Sequence, residues 1–166
     1  MTLTLILIRH AKSDWDAGLD DFERPLNRRG RQAAPTVAEW LIGHGYLPDA
    51  VLVSGARRTV ETWERMAGLM PETATMESVP ALYHANADTI LTLLQSQTEP
   101  TVMAIGHNPG IGNFAQRITE TYPDHAKFAR YPTAATTIIR FDADAWREIK
   151  WGTGEVLDFV VPRDLA

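Results

Sequence analysis

Apolar side chains occupy both parities of LTLILI, residues 3–8, with a single threonine among them. A strand built there has no polar face, which predicts a position covered on both sides, in the middle of a sheet. The pattern then changes period. In NRRGRQAAPTVAEWLIGHG, Ala33, Val37, Trp40 and Leu41 recur at helical spacing, and Gly43 and Gly45 close the segment as a helix end. Pro35 leaves the start of that helix open. DAVLVS (49–54) is a second short apolar strand, and ARRTVETWERMAGLM after it sets Val60, Trp63, Met66, Ala67 and Met70 on one stripe, the core face of a second helix. TATMESVPAL supplies a further strand, with Pro80 marking an edge or an end. NADTILTLLQSQ predicts a helix capped by Asn86, TVMAIG (101–106) a buried strand, and HNPGIGNFAQRITE the start of another helix. TAATTIIRF and GEVLDFVV alternate as a hairpin-type antiparallel pair.

Strand and helix in alternation, with doubly apolar strands, predict a three-layer α/β/α fold around a mostly parallel central sheet. No repeat, linker or low-complexity segment interrupts residues 1–166, so one domain is expected. Ligand sites in such sheets lie beyond the carboxyl ends of the strands. Three strands here end in unusual polar clusters: IRH after the first, SGARR after the second and GHNP after the later one.

Composition narrows the function classes. The 166 residues are 45% hydrophobic and 22% charged, an ordinary globular balance, and the net charge of −5 argues against a broad basic face for nucleic acid. Any anion must therefore be held by a local cluster. With no cysteine, disulfides, thiolate metal sites and a cysteine nucleophile are excluded. The N-terminal apolar stretch is short, lacks a preceding basic region and runs into Arg9 without a small-residue cleavage site, and no run reaches membrane-spanning length. A cytoplasmic protein without a membrane partner is expected.

The polar strand ends suggest phosphate chemistry. Arg58 falls in the first turn of a helix, where a cation opposes the helix dipole unless an anion is bound. Arg9 and Arg58 offer planar forks suited to phosphate, and the helix N-termini after residues 54 and 107 add N–H donors. Of the two histidines, His10 and His107, one can attack phosphorus and carry the phosphoryl group. Neighbouring guanidiniums disfavour its protonation, and His10 is expected at a solvent-facing strand end. Neither a metal nor a cofactor is needed.

At these residues the sequence resembles the histidine phosphatase superfamily, also called phosphoglycerate mutase-like. LIRHAKSDW matches its Arg-His-Gly strand end, LNRRGRQAA its Leu-x-x-x-Gly-x-x-Gln-Ala stretch, VSGARRTVET its Ser-x-x-x-Arg-x-x-x-Thr, and IGHNPGI its second histidine. RHAKS, DDFERPLNRRG and GHNPGI are similar to the SixA branch of phosphohistidine phosphatases. The resemblance implies His10 as the phosphorylated nucleophile, Arg9 and Arg58 as the phosphate clamp, and His107 as the second catalytic histidine. Arg58 is preferred to Arg57 because Ser54, Arg58 and Thr62 reproduce the spacing. Ala11 replaces the glycine. Asp16 stands where mutases carry a phosphate-contacting asparagine, so it is expected to point away or to serve another purpose. The general acid is unassigned among Asp14, Asp20, Asp21, Glu77 and His84.

A weakly equipped acid fits an imidazole leaving group, whose conjugate acid titrates near ~6.5, better than an alkoxide. No long insertion follows VSGARR to build a lid, so an open site is expected. Together these imply a phosphatase that removes phosphate from phosphohistidine on a partner protein, such as a histidine phosphocarrier domain. The alternatives are hydrolysis of small phosphate esters and a non-catalytic phosphate-binding module.

Overall fold

The computed structural model describes residues 2–72 and 74–166. Its six strands are β1 (Thr2–Arg9), β2 (Ala50–Val53), β3 (Thr75–Ser78), β4 (Thr101–Gly106), β5 (Thr136–Asp142) and β6 (Glu155–Val160), in the spatial order β3-β2-β4-β1-β5-β6. β5 alone runs against the other five. This is the mostly parallel sheet that the alternation of elements predicts, with β1 in its interior.

The two apolar parities of β1 face different layers. Leu3, Leu5 and Leu7 join Val102 and Ala104 of β4 under α3 (Ala87–Gln95) and α4 (Gly110–Ile118), which contribute Ile90, Leu94, Phe114 and Ile118. Ile6 and Ile8 join Val51, Val53, Met103 and Ile105 under α1 (Arg28–Gly43) and α2 (Arg57–Ala67), which contribute Ala34, Val37, Leu41 and Met66. Each fully buried aliphatic side chain contributes about 1.5–3 kcal/mol relative to an exposed one. The helix-covered sheet is thus where the stabilisation concentrates.

The helices refine the expected stripes. α1 starts at Arg28, where the Asn27 side chain accepts the Gly30 N–H, and it continues through Pro35. Its buried face is Gly30, Ala34, Val37, Ala38 and Leu41, with Ala33 and Trp40 partly covered beside it. On α2 the buried face is rotated from the predicted one: Arg58, Thr59, Thr62, Trp63 and Met66 are buried, Val60 and Ala67 are only partly so, and Met70 lies beyond the helix end. The rotation has a physical reason, since the first two turns of α2 face the loops at the sheet edge, where hydrogen-bonded polar side chains are accommodated. Asn86 caps α3 by accepting the Thr89 N–H, as expected.

β3 is an edge strand that ends before Pro80, in accord with the sequence; Thr73 of that stretch lies outside the described residues. β5 and β6 pair antiparallel, but residues 143–154 separate them, so they are not a tight hairpin. Among the described residues no helix is long and apolar enough to cross a membrane. The parallel pairing of β1 with β4 sets Arg9 opposite Gly106, so the residues after each strand emerge side by side.

Candidate active site

A cavity of about 490 Å³ opens at this carboxyl edge, and Arg9, His10, Arg58 and His107 all line it. Arg57, one residue from Arg58, is exposed and lines a different cavity. Helix periodicity explains the difference, because adjacent residues of α2 point about 100° apart.

His10 follows β1 directly, and its backbone N–H donates to the Gly106 carbonyl at 3.0 Å. Its Nδ1 lies 2.7 Å from the Ala11 carbonyl. A carbonyl can only accept, so Nδ1 carries the proton and Nε2 carries the lone pair. The next residue is anchored too: the Ala11 N–H donates to Thr62 Oγ1 at 3.0 Å, and that hydroxyl donates to the Arg58 carbonyl at 2.6 Å. The Ser54, Arg58, Thr62 spacing is thereby explained, with the threonine holding the backbone beside His10. Gly30 serves the same loop, since a Cβ there would sit 2.1 Å from the Lys12 carbonyl oxygen.

The His107 ring centroid is 5.2 Å from that of His10, the planes tilted by 51°. His107 Nε2 lies 2.7 Å from Ser54 Oγ, which also accepts the Ala56 N–H at 3.3 Å. Arg9 donates through one terminal nitrogen to the Tyr131 carbonyl at 3.3 Å. Arg58 gives both terminal nitrogens to Asp21, at 2.7 Å to its carbonyl and 3.1 Å to its carboxylate. Three polar atoms are left over. Among the described residues the buried side-chain nitrogens and oxygens without a hydrogen-bond partner are Arg9 Nε, Arg58 Nε and His107 Nδ1. An orphaned buried polar atom is costly in the absence of a ligand, and all three belong to residues that line this one cavity.

Both imidazoles are held neutral. Burial is the first cause for His10, with His107, Arg9 and Arg58 adding repulsion, and its pKa falls to about 3. His107 also falls to about 3, through burial and then Arg58. The sequence placed His10 at a solvent-facing end and credited the guanidiniums; in fact it is 5% exposed and burial leads. Residues 134–135 cover the turn, with the Ala134 N–H donating to the carbonyls of Arg9 and His10.

Of the five acid candidates, only Asp21 lines the cavity. Its carboxylate accepts from Tyr83, Arg24 and Arg58, and the Tyr83 hydroxyl foremost, then the two guanidiniums, hold its pKa well below the usual carboxylate range. His84 borders a neighbouring cavity that also touches His107. Asp14, Asp20 and Glu77 line neither. Asp16 is exposed and outside the cavity, as expected.

Sequence reasoning missed Arg24. It is 6% exposed, donates to Ser13 Oγ at 2.6 Å and to Asp21, and lies 3.5 Å from the centroid of the exposed Trp15 ring. The available signal was an arginine before a proline in a loop whose other charges are acidic. Lys12 also lines the cavity, so four cations face one carboxylate there. Among the described residues no group of three or more histidines, aspartates and glutamates could hold a metal ion.

Residues 5–78 match the family model described as histidine phosphatase superfamily (branch 1). An uncharacterized protein of Mycobacterium tuberculosis (strain ATCC 25618 / H37Rv) is 30% identical over 94% of this chain and 100% of its own. The chain belongs to the histidine phosphatase superfamily. An uncharacterized chloroplastic protein of Arabidopsis thaliana is 36% identical over 64% of this chain, which spans only 54% of that relative's length. A solved structure provisionally assigned as the phosphohistidine phosphatase SixA of Nakamurella multipartitia superposes with a TM-score of 0.84 at 25% identity, covering 98% of this chain and 97% of the other. The family that the motifs resemble is thus borne out, as is its phosphoglycerate mutase-like fold. The histidine phosphatase assignment also agrees with the chemistry of the cavity, whose neutral imidazoles and unpaired guanidinium N–H groups suit a phosphoryl group.

Proposed function

We propose that the protein is a phosphatase that takes a phosphoryl group onto His10 and passes it to water, with phosphohistidine on a partner protein as its substrate. The observation that carries this reading is the pair of orphaned buried guanidinium N–H donors, with His107 Nδ1 also unpartnered, beside an imidazole whose Nε2 lone pair is free.

In the first step His10 Nε2 attacks phosphorus; the P–Nε2 bond forms as the bond to the leaving nitrogen breaks. Arg9 Nε–H and Arg58 Nε–H bind the equatorial oxygens, where charge is greatest in the transition state. Ser54 Oγ holds His107 through Nε2, which leaves His107 Nδ1 without a protein partner and, in the tautomer that protonates it, a further donor to the phosphoryl group. In the second step water attacks phosphorus, the P–Nε2 bond breaks, and inorganic phosphate leaves with His10 restored.

The leaving group decides the substrate class. Asp21 is ionised and tied to two guanidiniums and a tyrosine, so it has no proton to give. An alkoxide would leave unassisted, whereas an imidazole leaving group is protonated readily by solvent near neutral pH. This supports cleavage of a P–N bond.

A rapid quench with labelled substrate tests the route: an acid-labile, base-stable phosphoenzyme mapped to His10 is expected. A leaving-group series then tests the substrate class. Rates should be high for phosphohistidine and aryl phosphates and low for sugar and glycerate phosphates. Equal rates for alkyl and aryl esters would instead establish an efficient proton donor and a small-molecule phosphatase.

A further inference from the structure

Beside the active-site cavity lies a cleft of about 480 Å³ that shares Lys12, Pro132 and Thr133 with it. Four cations line the cleft: Lys12, Arg29, Lys127 and Arg163. None of their side chains makes a hydrogen bond or an ion pair among the described residues. The carboxylate present, Asp164, is already engaged, accepting the Val161 N–H at 3.0 Å and pairing with His125 Nε2 at 2.8 Å. Arg29 stands in the first turn of α1, a turn without acidic residues, where the helix dipole adds to its positive potential. Such a concentration of unpaired positive charge is conspicuous in a chain of net charge −5. Ala33, Pro132 and Val161 give the same cleft an apolar lining.

We propose that this cleft docks an acidic segment of the phosphorylated partner protein while its phosphoryl group reaches His10. The inference rests on the phosphohistidine reading above and adds the chemistry by which the partner is chosen. Three features support it: the charge of the cleft, its continuity with the catalytic cavity through Lys12, and an apolar lining suited to the side chains that intervene between acidic residues. Association with an acidic segment is steered by this charge and weakens as salt screens it.

The test uses two synthetic peptides phosphorylated on one histidine, identical except that glutamates flank the histidine in one and serines in the other. With the full chain at low salt, the ratio of kcat/KM for the glutamate over the serine peptide is expected to be on the order of tenfold, shrinking as ionic strength rises. In Lys127→Glu/Arg163→Glu the ratio should fall to one or below, and in Lys127→Arg/Arg163→Lys it should persist. Because each ratio is taken within one protein, changes in overall activity cancel. The unphosphorylated glutamate peptide is also tested as an inhibitor of p-nitrophenyl phosphate turnover. A glutamate peptide that is neither preferred nor inhibitory, or a preference that survives charge reversal, overturns the docking assignment. If inhibition depends on Lys127 and Arg163 while no phosphohistidine is cleaved, the docking site stands and the phosphohistidine reading fails. If inorganic pyrophosphate inhibits in their place and the peptide does not, the cleft serves small anions and the proposal is overturned.

Discussion

Acidification should destabilise the protein through the two catalytic-site histidines, and the expected size follows from their burial. His10 and His107 each titrate near 6.5 when unfolded and at about 3 in the fold. Between those values the unfolded chain binds more protons, so stability rises with pH and is lost as pH falls from about 6.5 toward 3. In the middle of that window each histidine contributes a slope of about 1.4 kcal/mol per pH unit. From about pH 7.5 to about pH 4.5 this amounts to about 3 kcal/mol for one histidine and about 5 kcal/mol for both, a large share of the stability of an ordinary domain. Urea unfolding followed by the fluorescence of the five tryptophans measures it, in buffers free of phosphate and sulfate. The comparison is with His10→Gln/His107→Gln, which removes both titrations and leaves every carboxylate in place. The wild type should lose about 5 kcal/mol more than the variant over that interval. Parallel stability curves would refute the claim that the two imidazoles are buried as neutral groups.

Three further outcomes are expected. His10→Ala should abolish turnover while circular dichroism stays native, and His107→Ala should cost ~10²–10³-fold in kcat, as loss of one transition-state donor does; equal, mild losses would contradict covalent catalysis at position 10. Thr62→Val leaves the buried Ala11 N–H unpaired and should cost about 1–3 kcal/mol in urea unfolding, together with a drop in kcat as the backbone beside His10 loosens; an unchanged midpoint would remove its anchoring role. Gly30→Ala forces a methyl against the Lys12 carbonyl and should lower both stability and activity, whereas Gly43→Ala, with open space around it, should lower neither.

Much of this was legible because the chemistry sits where strands end. Arg9 ends one apolar run, His10 and His107 follow such runs directly, and Arg58 lies in the first turn of the helix after the second strand, so a parallel sheet gathers them at one edge. What escaped depends on contacts that no periodicity records. The rotated face of α2 did so because Thr59 and Thr62 are buried with their hydroxyls satisfied by the backbone, and a count of apolar residues passes over them. Arg24 enters the cavity from a loop, guided by Asp21 and Ser13 rather than by a repeat. The surroundings of His10 are likewise tertiary, since residues 134–135, far along the chain, hydrogen-bond to the backbone of Arg9 and His10, and His107 brings its ring to 5.2 Å. The Asp21 carboxylate was visible as a candidate, but its ionised state follows from Tyr83 and two arginines that approach it from three separate segments.

The pairing of β1 with β4 also sets when in the life of the chain the site comes into being. During synthesis the His10 imidazole emerges early, while β4, which delivers His107, follows only after α1, β2, α2, β3 and α3 have been made. A nascent or truncated chain that ends before β4 therefore carries a histidine with neither its neighbour nor the strand beside it. Long-range pairings of this kind form late, after the entropy of closing the intervening loop has been overcome. Phosphatase activity should thus return with the last phase of refolding, making the active site a readout of completed folding rather than a property of any fragment.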